Sequence, residues 1–284
     1  MLEMPALHED DHTRMKERIQ KVLASAGIAS RRAVEEMVLH GRIAVNGRII
    51  AELPVMIDPA KDRIDIDGER IKLSAKETEP RVYLLMNKPK GVHSTNVAQG
   101  EQVRAIDLLP PNFRFRVYPV GRLDADSKGL LLLTNDGELT NQLTHPRYGV
   151  AKTYRAIVDG RVLPETVERL QSGVWLADRG KGGWKTGRTR IHVTKRLREK
   201  SVLEITIREG RNRQVRRMLA SAGHKVRELT RVKMGPLTLH NLPVGAVRML
   251  TAREVKELKK VPEARAVDWS LKRPVRAKSQ RPSR

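Results

Sequence analysis

The spacing of hydrophobic residues changes period along this chain, and the changes mark out its elements. Between Met15 and Ala26, the residues Ile19, Val22, Leu23 and Ala26 recur at helical spacing, and Gly27 stops the run. Ser30 is placed to cap a second helix whose inner stripe is Ala33, Val34, Met37 and Val38, with Gly41 just past its end. Ala33 occupies the position where a full capping box needs Glu or Gln, so the cap is half built. The period then drops to that of strands. Arg42 to Ile50 reads as a hairpin turning at Asn46-Gly47, because both turn residues must accept positive φ. A second strand pair, Arg63–Ile66 and Glu69–Ile71, turns at Asp67-Gly68.

A polar stretch, residues 72–81, follows and ends in Pro80-Arg81, as expected of a linker. Beyond it the pattern predicts strands at Val82–Asn87, Val117–Leu123, Leu130–Thr134, Thr153–Val158, Arg190–Val193, Val202–Arg208 and Val226–Val232. Helices are predicted at Glu138–Thr144, Pro164–Gln171, Asn212–Ala222 and Ala252–Lys260. Strands without regular βαβ alternation argue for an α+β fold on a mainly antiparallel sheet. The expected organisation is a disordered acidic start (1–14), a small helix-hairpin domain (15–71), a linker (72–81), a larger domain (82–261) and a basic disordered tail (262–284).

Charge narrows the partner. The formal net charge is +23, with 56 Lys and Arg against 33 Asp and Glu, which suits a polyanion and makes nucleic acid the first expectation. No apolar run reaches the length of a membrane span. The start carries Glu3, Glu9, Asp10 and Asp11 and no hydrophobic stretch, so no signal peptide is expected. Without cysteine there is no disulfide frame and no thiolate chemistry, and the eight His are scattered without ligand spacing, so no metal is expected. The expected setting is cytoplasmic. In the small domain Lys16, Arg18, Lys21, Arg31, Arg32 and Arg42 are candidate phosphate contacts, some of them at a helix start. The run Arg179 to Gly183 is expected to be a flexible cationic loop that meets RNA or stays disordered.

Candidate chemistry centres on Gly121-Arg122-Leu123-Asp124-Ala125-Asp126-Ser127-Lys128-Gly129, which precedes the apolar run Leu130 to Leu133. A carboxylate one residue beyond an apolar anchor is held stiffly, which makes Asp124 the first catalytic candidate. Three more blocks belong with it: Asn87-Lys88-Pro89-Lys90-Gly91, Lys152-Thr153-Tyr154-Arg155-Ala156, and Glu209 to Met218, whose sequence is EGRNRQVRRM. Each alone has an ordinary explanation as a turn, a packed strand or a solvated basic helix.

Two helices with SRR at the second start, followed by a V-N-G hairpin, resemble the RNA-binding domain named after ribosomal protein S-four, which implies binding to structured RNA. In this order the GRLD, KTYRA and GRNRQVRRM blocks resemble the pseudouridine synthases, in particular the RsuA/RluB branch that modifies ribosomal RNA. Ser127 stands where that family more often has Thr, and the hydroxyl is retained. The resemblance implies cleavage of the bond from uracil N to ribose, rotation of the base and re-attachment through carbon, with no cofactor. It assigns Asp124 as nucleophile or base, and Arg216 as the guanidinium that holds its carboxylate. It sets Tyr154 against the uracil ring, with Val215 and Leu229 as apolar walls. Arg122 is expected on the side of its strand away from Asp124, binding RNA backbone or prising out the nucleotide. Lys88, Lys152, Arg211, Arg213 and Arg217 are further expected RNA contacts, with Lys88 structural or phosphate-binding. A monomer acting on ribosomal RNA, the large-subunit branch favoured over the small, is the leading reading. The alternative is a non-catalytic RNA-binding assembly factor; a DNA-binding regulator has little support.

Overall fold

The computed structural model describes residues 16–71, 80–178 and 182–260. The expected disordered start, most of the linker, residues 179–181 of the glycine-rich loop and the basic tail with Trp269 lie outside the described residues. The chain divides into two compact units between Pro80 and Arg81.

In the first unit, strand β1 (Glu17–Arg18) leads into helices α1 (Ile19–Ser25) and α2 (Arg31–Leu39). Strands β2 (Ile43–Val45), β3 (Arg48–Ile50), β4 (Met56–Ile57), β5 (Ile64–Ile66) and β6 (Glu69–Ile71) follow. The first helix starts later than its pattern predicts, because Glu17 and Arg18 pair with Ile57 and Met56 in a short antiparallel ladder. Ser30 caps α2 through Oγ, which accepts from the Ala33 amide. Asn46-Gly47 and Asp67-Gly68 all have positive φ, as the two hairpins require. The antiparallel order is β3-β2-β5-β6. Ile19, Leu23, Val34, Val38, Ile43, Ile57 and Ile64 are the buried centre of the core that this sheet and the helices share.

The second unit is built on one nine-stranded sheet. Its elements are β7 (Tyr83–Lys88), β8 (Tyr118–Pro119), β9 (Lys128–Thr134), α3 (Gly137–Thr144), β10 (Lys152–Asp159), α4 (Pro164–Gln171), β11 (Trp175–Asp178) and β12 (Gly182–Lys185). Then come β13 (Arg190–Arg196), β14 (Lys200–Ile207), α5 (Gln214–Ser221), β15 (Val226–Met234), β16 (Leu237–Thr238), β17 (Val247–Met249) and α6 (Ala252–Lys259). The order β13-β14-β10-β15-β9-β7-β17 is antiparallel except where β15 meets β9. Strands β11 and β12 form a separate hairpin. The expected α+β fold with a mainly antiparallel mixed sheet is what the chain adopts.

Apolar clusters cover both faces of the central strands. Leu131 and Leu133 face the cluster that includes Val215, Met218 and Leu219 of α5, while Leu130 and Leu132 face Leu139 and Leu143 of α3 and Leu258 of α6. Burial on both sides is why residues 130–133 form a continuous apolar run instead of alternating. The strand expected at Val117–Leu123 is the largest departure, since only Tyr118–Pro119 pair, with β9. Val117, Val120 and Leu123 are all buried, but their spacing of three belongs to the anchors of a loop, which turns at Gly121 (φ 71°).

Candidate active site

The loop between β8 and β9 is held by main-chain bonds from several directions. Its Val120 amide donates to Leu132 O at 2.8 Å, its Ser127 amide to Asp124 O at 3.0 Å, and Ala125 O accepts from the Gly91 amide at 2.7 Å. The Leu123 amide donates to Ser94 Oγ at 3.3 Å, and Leu123 itself is buried. A carboxylate on so constrained a backbone has few directions open to it. The loop then enters β9 through Gly129, whose φ is 108°. A Cβ there would lie 2.8 Å from Arg231 N and 2.9 Å from Thr230 Cγ2, so only glycine permits the parallel crossing of β9 and β15.

Asp124 borders a cavity of about 160 Å³ between the loop, the sheet and α5. Tyr154 from β10, Val215 from α5, Leu229 from β15 and Ile207 from β14 also line it. These four are buried and give the cavity an apolar side, while the Asp124 carboxylate and several cations line the rest. Arg213 Nη1 lies 3.5 Å from Asp124 Oδ2. The same guanidinium forks onto Asp126, at 3.2 Å to Oδ1 and 3.0 Å to Oδ2. Burial alone would push the Asp126 carboxyl up, but the Arg213 hydrogen bond and the charges of Arg216 and Arg213 outweigh it and hold it below its ordinary value. Arg213 reaches both carboxylates because it adopts the left-handed conformation (φ 48°) immediately before α5.

Arg216 has a different task from the one expected. Its Nη2 donates to Asp126 O at 3.0 Å and Ser127 Oγ at 3.3 Å, and its Nη1 to Val226 O at 3.3 Å. It therefore staples the aspartate loop to α5 and β15, while the ion pair with Asp124 comes from Arg213. The Ser127 hydroxyl is one of the staple's anchor points. Burial pushes the Arg216 guanidinium below its ordinary value, and its Nε is buried without a hydrogen-bond partner.

The expected opposition of Arg122 and Asp124 also fails. Residues two apart on a strand share a face, and here the strand has ended at Pro119; both side chains border the one cavity, Arg122 exposed and Asp124 half-buried. Lys152, Arg211 and Arg213 line it too. Burial, with Arg231 nearby, lowers Lys152 to about 8. Of the two roles expected for Lys88 its surroundings favour the structural one: it is fully buried and donates to Val92 O at 2.7 Å and Pro89 O at 2.9 Å. Burial lowers it to about 8 against the raising charges of Asp126 and Asp124. Arg217 is committed to Ala177 O and the ring of Trp184.

In the first unit Lys16, Arg18, Lys21, Arg31 and Arg32 are exposed, as a phosphate-binding surface requires. Lys21 pairs with Glu17 at 2.7 Å, and Arg42 forks onto Asp67, which ties β2 to the β5–β6 turn. Arg231 was missed by sequence reasoning. It is buried, lines the cavity, donates from Nε to Leu130 O at 2.7 Å, and has a buried Nη2 without a partner. Its signal was its position two residues after Leu229 on a strand, which fixes it to the same face. Among the described residues, no cluster of His, Asp and Glu has the makings of a metal site, and no helix is long and apolar enough to cross a membrane.

The family model for RNA pseudouridylate synthase matches residues 82–221, and the S4 domain matches residues 17–53. The chain is 42% identical over 245 residues to ribosomal large subunit pseudouridine synthase B of Bacillus subtilis, covering 86% of this chain and 96% of that protein. It is 40% identical to an uncharacterised RNA pseudouridine synthase of Aquifex aeolicus, over 86% and 94% of the two chains. A crystal structure of a pseudouridylate synthase superposes with a TM-score of 0.61 at 27% identity, covering 85% of this chain and 99% of that one. With the aspartate loop, the tyrosine-walled cavity and the arginine-bearing helix in one unit, the chain belongs to the RsuA/RluB branch of the RNA pseudouridine synthases, isomerases that convert uridine in RNA to pseudouridine.

Proposed function

We propose that this enzyme isomerises one uridine of large-subunit ribosomal RNA, with Asp124 as its nucleophile or base. The observation that carries the reading is the Asp124 carboxylate at the edge of a cavity walled by Tyr154, Val215 and Leu229, with Arg213 at 3.5 Å. A cationic neighbour fixes the direction of the carboxylate, and the apolar side of the cavity excludes the water that would hydrolyse a loosened base. The bond from ribose C1′ to uracil N1 breaks, the base turns, and C1′ joins C5. The C5 proton leaves, and Tyr154 is the group against the ring to move it. N1 ends protonated, so the product is an isomer and neither water nor electrons are consumed.

Arg122, exposed at the cavity edge, binds RNA backbone or helps turn the target nucleotide out of its stack. Arg216 acts on Asp124 through the loop that it staples. As part of this proposal the protein acts as a monomer in the cytoplasm, where ribosomal RNA is made. The preference for the large subunit rests on the Bacillus relative's own substrate class.

The test is to map pseudouridine in ribosomal RNA from cells lacking the protein and resupplied with wild type or Asp124→Asn. One large-subunit position lost, restored by wild type and not by the variant, is the expected outcome. In vitro the variant should lose at least roughly 10³-fold in kcat. A complete map without the protein, or full restoration by Asp124→Asn, would overturn the reading.

A further inference from the structure

The hairpin of β11 and β12 carries two tryptophans with opposite fates. Leu176 pairs with Trp184, and these face inward: Leu176 is buried in the main core and Trp184 packs against it. The guanidinium carbons of Arg211 and Arg217 lie 4.7 Å and 4.5 Å from the Trp184 ring centroid. Arg217 also donates to Ala177 O. Since Arg211 lines the Asp124 cavity, the hairpin is fastened to the cavity's rim through this stack.

Trp175 points the other way, because neighbouring strand residues alternate. It pairs with Lys185 and is 66% exposed. Its indole nonetheless has a fixed seat. A Cβ at Gly183 would lie 2.7 Å from Trp175 Nε1 and 3.1 Å from Cε2, so the ring rests against a glycine backbone that leaves it room. An indole held close to main chain at Nε1 and Cε2, with most of its surface in solvent, is a preformed stacking surface.

We propose that Trp175 is a stacking platform for an unpaired nucleobase of the substrate RNA, next to the target nucleotide and outside the cavity. Size and charge select this occupant. A stable protein contact needs on the order of 800 Å² per partner. The outward face here offers Trp175, Ala177, Gly183 and Lys185, one ring beside small residues and a cation. A single base needs one flat ring, and its phosphate needs one neighbouring cation; exposed Lys185, the cross-strand partner of Trp175, supplies it. The proposal deepens the ribosomal RNA reading and rests on it.

The experiment compares wild type, Trp175→Ala and Trp175→Phe on an rRNA fragment that wild type modifies, measuring kcat, KM, Kd and melting temperature. Alanine should raise KM and Kd about tenfold, as loss of one stacked base does, with kcat changed less than twofold and phenylalanine within about threefold of wild type. Abasic substitution of one flanking nucleotide should cost wild type the same factor and cost Trp175→Ala nothing further. The proposal is overturned if alanine leaves Kd within twofold of wild type, if phenylalanine binds as weakly as alanine, or if every abasic loss adds to that of alanine. It is also overturned if Trp175→Ala abolishes self-association of the protein and leaves RNA affinity unchanged. If wild type modifies no ribosomal RNA, the functional reading fails, and Kd measured on an rRNA fragment that wild type binds still decides Trp175.

Discussion

In the N-terminal unit Arg31 and Arg32 stand exposed at the start of α2, whereas in the larger unit Lys88 and Arg231 are buried and spend donors on carbonyl oxygens of their own chain. The residue chemistry is similar and the physical role is opposite. A cation in water is free to meet any phosphate at a salt-dependent, sequence-independent gain. A cation taken out of water persists only where it is satisfied internally, and there it fixes geometry. The aspartate loop has both kinds beside it: Arg216 is inside and Arg213 is 43% exposed by side chain.

The sharpest break of that comparison is Arg216→Ala against Arg213→Ala. Removing Arg216 releases Asp126 O and Ser127 Oγ together and lets the loop drift, so single-turnover rates should fall roughly 10²- to 10³-fold. Arg216→Lys should not restore them, because an ammonium cannot span the same acceptors. Arg213→Ala loses a partly solvated pair and should cost about tenfold or less. A larger loss for Arg213 would mean that direct contact with Asp124 outweighs burial.

Next in size is Gly129→Ala. A side chain at φ 108° would drive Cβ into the Arg231 backbone at the parallel crossing, so stability should fall by about 3 kcal/mol or more in urea denaturation. An effect under about 1 kcal/mol would show that the crossing can yield.

The same contrast between local and distant partners shows what was legible in the sequence. The Asn-Gly and Asp-Gly hairpins, the Ser30 cap and the helices of the larger unit are specified by residues close to each other in the chain, and they formed where the pattern put them. The cavity has Asp124, Tyr154, Val215 and Leu229 in its lining together, the set that the family resemblance implied. What local pattern could not supply was long-range pairing. Nothing near Arg213 announces a left-handed backbone that turns it toward residues 124 and 126. Nothing near Lys88 says that its strand will pair with Gly129 and bury it completely. A short strand such as β17 exists only because a distant partner, β7, offers an edge.

Lys88 supplies a pH test of burial. Its pKa falls from 10.5 to about 8 on folding, so the unfolded chain binds more protons than the folded one between those values. Stability from this group therefore rises with pH through that window, and the cost of burying the charge is fully felt below about 8. Lys88→Met should lack about 2 kcal/mol of the change in unfolding free energy that wild type shows between roughly pH 7.5 and 9.5. Lys152 remains in both proteins, so its own rise cancels. Equal pH slopes in wild type and variant would mean that Lys88 keeps its proton in the folded protein.

The smallest effect belongs to the exposed pair. Arg31→Ala/Arg32→Ala removes two exposed cations that hold nothing among the described residues, so melting temperature should stay within about 2 °C of wild type. KM for ribosomal RNA should rise roughly fivefold to tenfold at moderate salt, with kcat moved less. The slope of log Kd against log salt should fall by about 2, one for each phosphate contact given up. A loss of affinity with an unchanged salt slope would place these arginines in shape-specific contacts with the RNA. The N-terminal unit would then share the geometric use of cations that distinguishes the buried set around the aspartate loop.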